Sequence, residues 1–303
     1  GLKPKDIQTI KDLEKIPITK KADLVELQKK NPPFGGFEGV PIHELRRIFI
    51  SPGPIYEPGE LEYIELGWAQ GMYAGGFRPG DVAVNTFSYH MVPFALHMVD
   101  NSLHRIGCVS VPTGVGNTEQ QVHILKNLRA NAYCGTPSFL LTIAEKAEEV
   151  GLDLKKDLNL EVGFVAAEML PESLRSTLEE KFEMIIRQCY GTADIGCLGY
   201  ECVKKNGMHV PDDKIVEIVD PETGKQLGPG KTGEIVATTF NKIYPLIRFG
   251  TGDLSILTET PCPCGRTSPR LVKILGRVDQ VTKVRGLFVH PGQVDEVASR
   301  HPQ

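Results

Sequence analysis

The sequence is short of several things, and each shortage closes off a class of function. Lysine and arginine together number 34 against 38 aspartates and glutamates, a formal net charge of −4. With an isoelectric point near 6.1, the chain has no basic footprint for nucleic acid or an anionic membrane. None of its apolar runs approaches the roughly 18 residues that a membrane span needs. The opening, Gly1 to Asp6, is charged and has no apolar signal core. The chain therefore reads as soluble and cytoplasmic, with neither a nucleic acid nor a membrane as partner. Its seven cysteines, an odd number scattered through 303 residues, make a disulfide scaffold a poor explanation. A hydrophobic content of 41% still suffices for a sizeable core, either in about two domains or in one large α/β unit with an appendage.

Read in order, the chain alternates helical and strand patterns. Apolar residues at Ile7, Ile10, Leu13 and Ile16, then at Leu24, Val25 and Leu27, predict two short amphipathic helices parted by Pro17. A proline and glycine loop over 31–37 leads to a strand over 45–50. Helical spacing at Leu61, Ile64, Leu66 and Met72 follows, and a second helix opens after Ser88. Short apolar strands recur at 82–84, 108–112, 132–134, 162–165 and 182–186, with helices predicted over 119–128, 139–150 and 172–181. Such alternation argues a mainly parallel sheet covered on both faces, with ligands beyond the carboxyl ends of its strands. From Gly207 the pattern changes to short strands and tight turns at 215–219, 235–238 and 254–257, which suggests a small β-rich subdomain packed on the main sheet. His90, His97 and His104 stand seven apart and do not converge on one metal, so they read as packing or pocket polarity.

The stretch from Gln188 to Cys202 carries the most chemistry. An apolar run ending at Ile186 feeds into Tyr190, Gly191, Thr192, Ala193 and Asp194, the way a strand end opens into a tightly turned polar site. Gly191 lets backbone approach a ligand closely. Tyr190 offers a face for a flat ring, Thr192 a hydroxyl for a phosphate oxygen, and Asp194 a hard oxygen for magnesium. Together these suit a nucleotide. Standing alone, the stretch also reads as a glycine turn capped by Asp194 above an ordinary core strand.

Two further motifs lie downstream, Pro245 to Leu254 with its Gly-Thr-Gly-Asp, and Leu275 to Gly286. In this order and spacing the three motifs resemble those of the adenylate-forming acyl-CoA synthetases. Within that superfamily the chain is most similar to the phenylacetate-CoA ligase family, which also has the patterns seen at Asp220 to Gly224, Gly233 to Val236 and Cys262 to Arg266. The likeness runs over nearly the whole chain. It implies an α/β adenylate-forming core over 1–202 with mainly parallel sheets flanked by helices, and a β-rich subdomain over 203–278. Residues 279–303 would form a hinge at Asp279 and the start of a C-terminal lid that is otherwise missing.

The resemblance implies an ATP-dependent ligase that joins a small aryl or acyl carboxylic acid to AMP and then to coenzyme A, as in aromatic compound catabolism. It assigns Asp253 to the ribose hydroxyls and Arg277 to ribose or α-phosphate, with Thr192, Asp194 and Arg277 as the catalytic set and magnesium at Asp194. Ala166, Ala167 and Glu168 would lie beside the adenine, and Tyr89 and Phe94 would wall the acid pocket, although these aromatics equally suit a core. The family's phosphate-gripping loop, Ser-Ser-Gly-Thr-Thr-Gly-x-Pro, aligns with Ser51 to Pro58. Ser51 and Gly53 are retained. Both threonines and the second glycine are lost, two prolines remove amide donors, and Glu57 adds a charge that repels phosphate. Where the family reads Arg-Tyr-Arg-Thr-Gly-Asp, the second arginine is Gly250.

Cys202, His209, Cys262 and Cys264 form a second constellation, three thiols and an imidazole that fit a closed tetrahedral zinc site, as relatives with this cysteine set also imply. Free cysteines in a tight turn are the other reading, and Cys197 competes for a place. Cys108, Cys134 and Cys189 read as small core residues. The altered loop keeps two other functions open: a non-adenylating relative that binds nucleotide or coenzyme A as a partner subunit, and an AMP-transferring relative with another acceptor such as a deazaflavin. A homodimer is compatible with all three.

Overall fold

The computed structural model describes residues 2–59 and 66–280, and the backbone of 282–284 and 287–289. Leu61 and Ile64 of the predicted helix lie outside the described residues, as do 281, 285, 286 and 290–303 of the predicted hinge unit.

Of the two helices expected before residue 31, one forms. Residues Ile10–Lys15 make a 3-10 turn because Asp12 Oδ2 caps three donors at once, the Gln8 and Thr9 amides and the Thr9 hydroxyl. Pro17 then stops any extension. The chain runs on as β1 (Thr19–Lys20) and turns into α1 (Leu24–Lys30). β2 (Arg47–Ser51) and β3 (Ile55–Gly59) pair antiparallel as a separate hairpin.

The α/β pattern is as the alternation predicted. α2 (Leu66–Gly75), β4 (Val82–Asn85), a π-helical turn over Phe94–Asp100 and α3 (Asn101–Ile106) come first. β5 (Val109–Pro112), α4 (Thr118–Leu128), β6 (Ala132–Gly135), α5 (Pro137–Glu149), β7 (Val162–Val165) and α6 (Glu172–Phe182) follow. Strands β4 to β7 and β8 (Ile185–Thr192) pair parallel in the order β5-β4-β6-β7-β8. Thr136 caps α5 by accepting from the Phe139 amide, whereas Asn117 precedes α4 in a left-handed conformation and makes no such bond.

Alternation along the strands feeds two cores. Ala83, Ala132 and Phe164 face Trp68, Met72 and Phe77 of the α2 layer. Val84, Tyr133 and Val165 face Leu125, Leu140, Ile143 and Leu178 of the α4 to α6 layer. Helix α2 lies close on the sheet because Gly71 has no side chain: a Cβ there would sit 2.8 Å from Phe164 and from Tyr200.

Beyond β8 the sheet continues antiparallel through β9 (Gly196–Glu201) and β10 (Met208–His209). β11 (Lys214–Val219), β12 (Thr232–Thr239), β13 (Phe249–Thr258), β14 (Arg270–Leu271) and β15 (Gly276–Arg277) complete it. The short strands expected after Gly207 are hydrogen-bonded through β14 and β10 to the parallel strands, within one sheet of 13 strands. β1 adds to it in parallel beside β13, with Lys20 opposite Gly250. The buried Arg248 holds that edge, donating to Ile16 O at 2.9 Å and forming an ion pair with Glu217 at 3.0 Å. Among the described residues, no helix is long and apolar enough to cross a membrane.

Candidate active site

The signature stretch is a β8–β9 hairpin with the turn at Ala193 to Ile195. Gly191 sits at a register shift in this hairpin, and a Cβ there would collide with the Gly196 carbonyl oxygen. At its root, Glu201 is buried and accepts a two-pronged bond from Arg175, 2.8 Å from each nitrogen. The same carboxylate receives the Gln188 amide and side chain, both at 3.0 Å. The strand that presents Tyr190 and Thr192 is thereby fixed from behind. Sequence reasoning did not single out Arg175 or Glu201, although a glutamate inside an apolar strand, between Tyr200 and Cys202, is itself a signal that a buried cation faces it.

A cleft enclosing about 1500 Å³ opens at the carboxyl ends of β7 and β8. Ala166, Ala167 and Glu168 form one side, and Gln188 to Ala193 run beneath. Ala167 takes a left-handed φ of 69°, so the small side chain is held in a strained turn. Asp253 lies at one end of the cleft. Its Oδ2 accepts from the Tyr190 hydroxyl at 2.7 Å, and its Oδ1 meets Arg277 at 3.3 Å. The β13–β15 pairing sets Arg277 directly across from Asp253. Burial raises the Asp253 carboxyl above its ordinary range, with Tyr190, Arg277 and Lys21 pulling against it. Arg277 is half-exposed and also pairs with Asp279 at 3.3 Å, so the hinge residue and the ribose residue share one guanidinium.

The other end is aromatic. Trp68 and Phe94 line the cleft edge to face, with ring centroids 4.8 Å apart, and the buried indole Nε1 of Trp68 has no hydrogen-bond partner. Tyr89 is not part of this wall: its hydroxyl donates to Asp100 at 2.8 Å, alongside Asn85 and Ser110. Of the three spaced histidines, His97 is buried against Phe49, and the π-helical turn keeps them off a common α-helical face.

The phosphate end differs most from the sequence expectation. Ser51 and Gly53 do not belong to an open loop: the whole of 47–59 is a paired hairpin, from Arg47 opposite Gly59 to Ser51 opposite Ile55. The physical reason is alternation, Ile55 in, Tyr56 out and Glu57 in. The buried Ser51 hydroxyl is spent on Glu57 at 2.5 Å. Glu57 and Asp194 line a second cavity of about 400 Å³, which shares Ala193 with the cleft. Burial and the Asp194 charge push the Glu57 carboxyl up to about 8. Asp194 is ion-paired through Oδ2 with Lys21 at 2.5 Å, while its Oδ1 and the Thr192 hydroxyl are buried without hydrogen-bond partners. Lys21 had no signal in the sequence beyond a lysine-rich opening.

Cys202, His209, Cys262 and Cys264 come together, all four ligand atoms within 4.8 Å of one another. The Cys202–Cys262 sulfurs are 3.9 Å apart, and Cys264 Sγ is 3.4 Å from His209 Nε2. A tetrahedron with zinc bond lengths has edges of about 3.8 Å and about 3.6 Å for these atom pairs. His209 Nδ1 is 3.2 Å from the Ser268 hydroxyl, which leaves Nε2 for a metal. Burial, with Arg266 and Arg270 nearby, lowers the His209 imidazole to about 4, so it is neutral as a ligand must be. Burial pushes the Cys264 thiol up, but the Arg266 amide and side chain outweigh it and bring the group to about 7. Cys197 packs in the core against Gly67 rather than competing for the cluster. Cys108, Cys134 and Cys189 are likewise buried core residues.

Comparison with known proteins agrees with this geometry. Residues 67–241 match the family described as AMP-binding enzyme. The chain is 35% identical to a phenylacetate-coenzyme A ligase of Thermus thermophilus, over its whole length and 69% of that protein. Against the phenylacetate-coenzyme A ligase of Escherichia coli the identity is 30%, over 98% of this chain and 68% of that protein. Among solved structures, an open conformation of 2-hydroxyisobutyryl-CoA ligase in complex with 2-HIB-AMP and CoA superposes with a TM-score of 0.89. Its identity is 26%, covering 99% of this chain and 68% of that one. The chain belongs to the phenylacetate-CoA ligase family of the adenylate-forming superfamily, and its activity is that of an ATP-dependent, AMP-forming acid–CoA ligase working through an acyl-adenylate.

Proposed function

We propose that the acid is a small aryl carboxylic acid. The observation that carries this reading is the polarity of one cleft, with the Asp253, Tyr190 and Arg277 cluster at one end and the Trp68–Phe94 pair at the other. Asp253 accepts from the ribose hydroxyls, a task for which Tyr190 and Arg277 hold it in position. The Ala166 to Glu168 turn lies against the adenine, where only small side chains admit a flat base. Thr192 donates its unpartnered hydroxyl to phosphate oxygen, and the edge-to-face aromatics pack on the ring of the acid. This arrangement holds the carboxylate and the α-phosphate together, so that much of the barrier is met by orientation.

Asp194 would hold magnesium through Oδ1, the oxygen that no hydrogen bond occupies, and the ion supplies charge neutralisation for the triphosphate. The Cys202, His209, Cys262 and Cys264 cluster would hold a structural zinc that ties β9, β10 and the 262–264 turn together. Residues 203–278 then form a metal-clamped subdomain, with Asp279 as the hinge.

The test mixes the chain with ATP, magnesium and a panel of aryl and short aliphatic acids, and follows pyrophosphate release and thioester formation with coenzyme A. Aryl acids are expected to give the higher kcat/KM; equal or higher values for aliphatic acids would sink the aryl assignment. Metal analysis of the purified chain is expected to find one zinc per chain, lost together with thermal stability in Cys262→Ser.

A further inference from the structure

We propose that Lys21, delivered by the N-terminal β1 segment, is a phosphate-binding residue of the nucleotide site, its ammonium passing from Asp194 to the α-phosphate when nucleotide binds. The inference rests on the nucleotide reading of the Asp253 cleft.

Three observations lead to it. First, this chain has no guanidinium at the position before Thr251, and the structure leaves no room for one. A Cβ on Gly250 would lie 2.7 Å from Glu234 Oε1 and 3.0 Å from Ile18. Second, the strand that fills this space carries its own cations. β1 pairs in parallel with β13, Lys20 falls opposite Gly250, and Lys21 follows at the turn into α1. Arg248 pins the segment by its bond to Ile16 O, and the Thr19 amide donates to Arg248 O at 3.0 Å. Third, the Lys21 ammonium sits between the two acidic ends of the site. It contacts Asp194 at 2.5 Å, and its charge also acts on Asp253 and Glu57.

A phosphate on a ribose held by Asp253 enters a region where Asp194, Asp253 and Glu57 are all acidic, and Lys21 is the cation that offsets them. Its side chain is about a quarter exposed, whereas that of Asp194 is fully buried. The ammonium, at the end of a flexible four-carbon stem, can reorient while Asp194 cannot. The hairpin over 47–59 spends its Ser51 hydroxyl on Glu57, so a donor from elsewhere in the chain is needed at this end.

Calorimetric titration with adenosine and with AMP isolates the phosphate contact, since the two ligands differ only there. The parent chain is expected to bind AMP more tightly than adenosine. Lys21→Met should weaken AMP about tenfold to hundredfold, the worth of a charge-assisted hydrogen bond, and leave adenosine unchanged. Lys21→Arg should keep most of the preference, and Lys20→Met all of it. Unchanged adenosine binding also certifies that the variant is folded. If Lys21→Met keeps the AMP preference of the parent, the lysine merely neutralises buried Asp194 and the proposal is overturned while the nucleotide reading stands. Should Lys21→Met fail to fold, Lys21→Arg decides, because a contact with phosphate predicts retained preference and its loss there refutes the contact. A parent chain that binds neither ligand overturns both readings.

Discussion

The two ends of the nucleotide cleft are built on opposite principles. At the Asp253 end, a carboxylate is held between a tyrosine hydroxyl and a guanidinium, all three on strands of the continuous sheet. At the other end, a glycine and hydroxyl loop is replaced by a hairpin that buries Glu57 beside Asp194 and answers it with Lys21. The first end keeps the residues that its motif predicts. The second keeps the chain position but exchanges open backbone donors for a paired ladder and one mobile cation. A site can therefore retain its recognition of the nucleoside while changing how it meets the phosphates, because the two tasks are carried by separate elements.

Glu201→Ala should break the Asp253 end most severely. It leaves Arg175 buried without its partner and unties Gln188, at a cost of about 3–5 kcal/mol in denaturant-unfolding stability. Asp253→Ala removes the carboxylate itself. AMP binding by calorimetry should weaken about a hundredfold with little loss of stability, since Tyr190 and Arg277 both retain access to water or to other partners. A smaller loss would mean that the cleft recognises the base alone.

Glu57→Gln sharpens the contrast from the other end. The Glu57 carboxyl sits at about 8 in the folded chain against the model value of 4.5, so the folded state holds the extra proton. That raised value costs nothing below 4.5, and the cost grows as pH rises and is complete above about 8. Glutamine removes it and keeps an acceptor for Ser51. The variant should gain about 1–3 kcal/mol over the parent in alkaline thermal melts and none in mildly acidic ones. A pH-independent difference would show that Glu57 does not titrate there. The smallest effect belongs to Ala167→Gly, which relieves a left-handed φ of 69° and offsets it by added chain freedom; a gain of at most about 1 kcal/mol is expected.

Much of this was readable from residue order. The period-2 and period-3.6 patterns marked β4 to β8 and α4 to α6 because half-buried elements must alternate apolar and polar residues at those spacings. Tyr190, Thr192, Asp253 and Arg277 could be named because short motifs hold their geometry within one or two strands. Lys21, Arg175 and Glu201 could not: their partners lie 173 and 26 residues away, and no local pattern marks such pairs. Tyr89 went astray for a related reason, as the π-helical turn after Pro93 carries Asp100 to its hydroxyl.

By itself, the sequence determined the α/β class, the order of the strands along the chain, the family and the chemistry of the Asp253 end. The tertiary structure alone decided that 47–59 is a hairpin, that the edge beside Gly250 is filled by β1, and that four distant zinc-type ligands share one point. The physical reason is range. Periodicity and turn chemistry act over a few residues, whereas burial of Glu57, the Lys21–Asp194 pair and the cysteine–histidine cluster exist only once segments far apart in the chain are packed together.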